Sequence, residues 1–150
     1  MKPKLAGAGF WIFSGVALAQ MGTFVHSDEM AWGKPGAYGP GTSTKILMTK
    51  ENGFLDDLIR AMWLVKIDPG GEYTVTTVPK EDVAFFVAKG TGRFTLGDER
   101  IDTKPGDAYG IPAGVKHGLA NNGAEPVELL VFASPLTAPN PTAKPVKGRA

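Results

Sequence analysis

Residues 106–121 read Gly106-Asp107-Ala108-Tyr109-Gly110-Ile111-Pro112-Ala113-Gly114-Val115-Lys116-His117-Gly118-Leu119-Ala120-Asn121. This stretch decides the fold. Its physical content is a short strand over 108–111, a tight Pro-x-Gly turn, and a second strand carrying one histidine. Pro112 fixes φ and suits the first corner of a turn, and Gly114 tolerates positive φ at the second. Such a turn aims the next inward side chain, His117, into the interior of a β-barrel.

The flanking sequence repeats the same punctuation. Arg60–Ile67 alternates Ala61, Trp63, Val65 and Ile67 against Met62, Leu64 and Lys66, a strand with one buried face. Asp68-Pro69-Gly70-Gly71 turns the chain into Glu72–Val78, rich in Thr, Val and Tyr. After a polar break at 79–82, Val83–Lys89 is apolar on both faces and reads as a strand buried on both sides. Gly90-Thr91-Gly92, Gly97-Asp98 and Lys104-Pro105-Gly106 separate the next short strands, and 126–134 is the last one. Ser43–Thr49 is a further strand, followed by an Asn52-Gly53 turn signal. Strands of this length and spacing predict an all-β sandwich or barrel.

The chain has 150 residues, enough for one domain with its own core, and its 20 Gly and 12 Pro favour turns over long helices. A formal net charge of +1 gives no reason to expect nucleic acid as a partner. With no Cys there are no disulfides, no thiolate nucleophile and no Cys-rich zinc site. No Gly-x-Ser-x-Gly, P-loop or dinucleotide fingerprint is present.

Lys2 and Lys4 precede an uncharged run of 21 residues, Leu5 to Val25, most apolar over 6–19 and carrying Ala17-Leu18-Ala19 before Gln20. A positive start, a short apolar middle and a small-x-small end match a secretory signal peptide cleaved after Ala19. Cleavage would take the formal charge from +1 to −1 by removing the two lysines. The alternative is a retained membrane anchor reaching residue 25, since the run matches the ~20 residues that span a bilayer. Both readings place the domain on the periplasmic or secreted side, with the membrane a partner only if the segment stays. The chain then divides into 1–19, an N-terminal arm and first strands at 26–59, a barrel at 60–134, and an extended Pro-rich tail at 135–150.

The 106–121 stretch resembles the second signature of the cupin superfamily: Gly, five residues, Pro-x-Gly, two residues, His, three residues, Asn. Gly106, Pro112, Gly114, His117 and Asn121 match it in every fixed position. Leu64–Gly70 resembles the strand entering the first signature, and Phe86–Phe94 the hairpin leaving it. The resemblance implies a double-stranded β-helix, a small jelly-roll-like barrel with a pocket at one end. It also implies a homodimer.

The first cupin signature normally supplies two His and a Glu that join the later His around one metal. Counting from Gly71 and back from Gly90, those positions fall on Thr77, Pro79 and Val83. Proline and valine have no ligating side chain, threonine is a poor neutral ligand, and a single imidazole does not hold a divalent ion. The expectation is therefore no metal and no cofactor. Glu81 or Asp82 with His117 would give at best two or three ligands, and His26, Asp28 and Glu29 lie in the arm and would have to reach the barrel mouth.

Three readings of function follow. In the first the chain is an exported module that binds a small molecule, with Thr77, Trp63, Phe85 and Tyr109 lining the site. In the second it is a metal-free isomerase or lyase. His117 is then the catalytic acid–base group, Tyr109 or Tyr73 the phenol, and Glu81 or Asp82 the acid. In the third it is an anchored accessory subunit of a membrane assembly. Against each stands a plainer reading: His117 as a hydrogen-bonded core residue, and Trp63 and Phe85 as ordinary core.

Overall fold

The computed structural model describes residues 25–49 and 59–135. The proposed leader, the Asn52-Gly53 turn and the tail beyond residue 135 lie outside the described residues. Nine strands form: β1 (Thr42–Thr49), β2 (Ala61–Ile67), β3 (Glu72–Thr76), β4 (Glu81–Lys89), β5 (Gly92–Leu96), β6 (Glu99–Thr103), β7 (Ala108–Ile111), β8 (His117–Ala120) and β9 (Val127–Pro135). They make two antiparallel sheets, one ordered β1-β2-β9-β4-β7 and the other β3-β8-β5-β6. A double-stranded β-helix of the jelly-roll kind results, and the sheets bury their facing sides against each other.

Alternation places the core. Ala61, Trp63, Val65 and Ile67 of β2 face inward, as do Val83, Phe85 and Val87 of β4 and Val127, Leu129, Val131 and Ala133 of β9. Tyr73, Phe94, Leu119 and His117 meet them from the four-stranded sheet. The strand at 83–89 departs from expectation: Ala84, Phe86 and Ala88 are exposed, so the described residues cover only one of its apolar faces.

The 112–115 turn differs in detail from its sequence reading. Val115 N–H donates to Pro112 O at 3.1 Å, so Pro112 opens the turn and the corners are Ala113 and Gly114. Gly114 has φ +80°, the value that the second corner of a type II turn requires. The turn carries the chain from β7 in one sheet to β8 in the other, and two bonds hold it. Ala113 N–H donates to Asp82 Oδ1 at 2.8 Å and Gly114 N–H to Val78 O at 2.8 Å.

β3 is irregular. Its pairing with β8 shifts register between Tyr73 and Thr76, so Thr76 stands opposite His117 and Val75 is turned out, 45% exposed. Gly118 is required beside this bulge, because a Cβ there would lie 2.8 Å from both Tyr73 O and Val75 Cα.

The arm joins the two sheets. Gly33 and Gly36 N–H donate to Thr44 O and Thr42 O on β1, while Thr74 and Glu72 N–H of β3 donate to Tyr38 O and Pro40 O. One edge of each sheet, β1 and β3, is covered in this way. Asn121 ties the opposite connections. Its Nδ2 donates to Ile67 O and Glu125 O, each at 2.9 Å, and its Oδ1 accepts from Gly123 N–H at 3.0 Å.

Replacing Asn121 by alanine strips the donor from two carbonyls. It is expected to lower the unfolding free energy by about 2–3 kcal/mol in urea denaturation. Aspartate should be worse than alanine, because a carboxylate there faces two carbonyl oxygens.

Candidate functional site

One row of aromatic rings runs through the barrel. Trp63 stacks with Tyr38 at 6.1 Å between centroids, and Tyr38 with Tyr73 at 4.8 Å. Tyr73 meets Phe85 edge-on at 5.4 Å, and Phe85 meets Phe94 at 5.7 Å. Phe94 stacks on Tyr109 at 4.0 Å. His117 packs against the middle of this row, 5.6 Å from Phe85 and 6.2 Å from Tyr73. Offset and edge-to-face contacts of this kind add to plain area burial.

His117 is 1% exposed. Its Nδ1 lies 2.9 Å from Val115 O. A carbonyl only accepts, so Nδ1 carries the proton and Nε2 of the neutral ring is a bare acceptor. Nε2 is buried without a partner, as is the Nε1–H of Trp63. The interior thus holds one unmatched acceptor and one unmatched donor.

Open space lies at the Tyr38 end. A cleft of about 290 Å³ is bounded by Tyr38, Thr44, Ile46, Arg60 and Trp63. A second of about 290 Å³ lies across Tyr38, against Tyr73 and Thr76. Tyr38 is the wall they share. Ile46 stands on the inner face of β1, opposite Trp63, yet is 57% exposed because the four-stranded sheet does not reach it. Arg60 grips Glu81 through both guanidinium branches, its Nη2 3.0 Å from Oε2, and this bond holds the guanidinium above its usual range.

Residues 63–133 match a family model described as a cupin domain. The chain belongs to the cupin superfamily. Solved cupin-like structures superpose on it. One is a predicted oxalate decarboxylase from Thermotoga maritima, with 22% identity, TM-score 0.70, and coverage of 76% of this chain and 100% of that one. KdgF from a Halomonas species gives 23% identity, TM-score 0.63, and coverage of 76% and 94%. The polyketide cyclase RemF from Streptomyces resistomycificus gives 21% identity, TM-score 0.65, and coverage of 76% and 80%. At these identities the likeness is one of fold. No curated protein matches the chain.

The cupin fold implies a metal beside His117, and the residues present do not fit one. Thr77 and Pro79 are exposed in the β3–β4 connection, and Val83 is a buried core residue. Among the described residues no group of three His, Asp or Glu side chains converges. The arm groups lie elsewhere. Lys45 Nζ donates to Ser27 O at 2.6 Å, and Trp32 lies against Lys45 and Lys66, 4.5 and 5.2 Å from its ring centroid. Lys45 and Lys66 point away from the interior, so His26, Asp28 and Glu29 sit by the outer face of the larger sheet.

The residues singled out from sequence are only partly brought together. Phe85 touches His117, Trp63 connects to it through Tyr38 and Tyr73, and Tyr109 is two rings away beyond Phe94. Thr77 lies outside on the connection. Asp82 is engaged by the turn and Glu81 by Arg60, so neither candidate acid serves His117. Tyr38 escaped the sequence reading; its one signal was an aromatic set between Gly36 and Gly39-Pro40-Gly41.

Burial pushes the Tyr73 phenol well above its ordinary value, and Tyr38 beside it adds to the shift. Burial also raises Tyr38; Arg60 opposes this and Glu81 reinforces it. An unfolded tyrosine titrates near 10, so above that pH the unfolded chain loses protons that the barrel keeps. This contribution is fully present below pH 10 and falls as pH rises beyond it. Urea midpoints taken from about pH 8 to about pH 11 should drop at the alkaline end. Tyr73→Phe should flatten that drop.

Proposed function

We propose that this cupin is an exported module binding a small, uncharged, largely apolar or sugar-like molecule at the Tyr38 end of the barrel. The observation that carries the reading is the unmatched Trp63 Nε1–H, buried beside an open cleft whose wall is aromatic. Leaving such a donor without an acceptor costs about 1–3 kcal/mol, which a ligand oxygen would recover. Tyr38 and Trp63 supply flat apolar faces for the body of the ligand, and the Thr44 hydroxyl a polar contact. The Arg60 charge is already matched by Glu81, so the site calls for a neutral oxygen rather than a carboxylate. Solved relatives described as a decarboxylase and a cyclase agree with a barrel that handles small molecules, though fold alone does not carry activity across.

In this reading His117 supports the aromatic row. Acid–base work would need a proton partner at Nε2, and none is provided among the described residues. Export rests on Lys2, Lys4, the apolar run and Ala17-Leu18-Ala19. The mass of the native chain tests it: an N-terminus at Gln20 supports cleavage, and a retained Met1 supports an anchor.

Binding is tested by following the Trp63 indole N–H in a nitrogen–proton correlation spectrum while monosaccharides and small phenols are titrated in. A saturable shift of that resonance is expected with at least one compound, and Tyr38→Ala should weaken the binding at least tenfold. Absence of any saturable shift at millimolar concentration, or one indifferent to Tyr38→Ala, overturns the proposal.

A further inference from the structure

The bulge in β3 builds a hollow that the barrel itself does not need. Tyr73 stands opposite Leu119 and Thr76 opposite His117, so β3 carries one residue more than β8 between these pairs. The surplus residue turns Val75 out, 45% exposed, and re-aiming a side chain is a usual result of a bulge. Val75 then walls the second cleft together with Tyr73, Thr74 and Thr76. The opposite wall is the loop around Tyr38. Gly39 lets that loop close on β3, because a Cβ there would collide with Thr74 Oγ1 and Glu72 O. Ala37 and Tyr38 line both clefts, and Ala37, with a single methyl group, leaves the partition between them low.

We propose that the two clefts form one binding site, and that its ligand is a neutral molecule of two linked rings bearing hydroxyl groups. The proposal rests on the Trp63 cleft being a ligand site. Size supports joining them. Each cleft holds about 290 Å³, at the bottom of the range for small-molecule sites, whereas the pair together falls inside it.

Charge and polarity set the ligand class. No charged side chain lines the second cleft, and Arg60, which lines the first, is engaged by Glu81. Burial keeps the proton on the Tyr73 phenol, so that wall is neutral too. The Thr74 and Thr76 hydroxyls have no partner among the described residues. They stand to the second ring as the Thr44 hydroxyl and Trp63 Nε1–H stand to the first, and Val75 adds apolar contact. Linking the rings means that the rotational and translational freedom lost on binding is lost only once, so the second ring adds affinity.

Disaccharides and bridged phenols share this chemistry, and two pairs of probes separate them: glucose with cellobiose, and phenol with bis(hydroxyphenyl)methane. The Trp63 indole N–H and the Val75 methyl groups of the full chain report on the two clefts in correlation spectra. In one pair the two-ring compound is expected to bind at least tenfold tighter than its one-ring partner and to move both reporters in a single saturable transition. Val75→Trp and, separately, Thr76→Val should each cut that advantage at least threefold with unchanged circular dichroism. One-ring binding at Trp63 with no gain from a second ring in either pair overturns the proposal and leaves the Trp63 site standing. A gain indifferent to both variants overturns it as well, as do reporters that respond with separate midpoints. If no compound moves Trp63, the ligand site itself is lost and this proposal falls with it.

Discussion

The Asn121 carboxamide fastens the end of the barrel opposite the 112–115 turn. Through its side chain it reaches the end of β2 at Ile67 and the connection into β9 at Glu125 and Gly123. Its own backbone continues the work: its N–H donates to Gly71 O, and its O accepts from Gly70 N–H. The turn after β2, the start of β3 and the approach to β9 therefore close on one buried residue. Without it three backbone connections would meet in the interior with their polar groups unmatched. Asparagine suits the place because it offers two donors and one acceptor oxygen on a short, neutral stem.

Much of this was legible beforehand. Alternation gave the inward face of β2, and glycine-rich breaks gave the strand boundaries within a residue or two. The failures have physical causes. Pro112 and Gly114 are two residues apart and cannot both be corners of a four-residue turn; the Val115 to Pro112 bond gives the corners to Ala113 and Gly114. The extra residue in β3 leaves no local mark, because the bulge answers to Gly118 on a neighbouring strand. Tyr38 was invisible because its role depends on contacts with Trp63 and Tyr73, more than twenty residues away. Ala84, Phe86 and Ala88 were read as buried from their chemistry, which reports that a surface is apolar without saying what covers it.

The candidate site divided in the same way. A single histidine was correctly placed on an inward strand, and the degenerate ligand positions could be counted from glycines alone. Which groups surround the ring could not. The two acids nearest in sequence to the lost ligand positions, Glu81 and Asp82, have been recruited to hold Arg60 and the 112–115 turn. In place of polar partners the histidine has aromatic faces, and the cleft beside Trp63 opens at the edge of the barrel next to β1.

The order of strands has a consequence in time. β9, the last strand, lies at the centre of the larger sheet, between β2 and β4. That sheet cannot close until residue 135 is available, whatever has been made before it. During synthesis β1 can pair with β2 and β4 with β7, but the two pairs wait for β9 to join them. The smaller sheet has all its strands by residue 120, whereas the larger one closes only when its last-made strand is inserted at its centre.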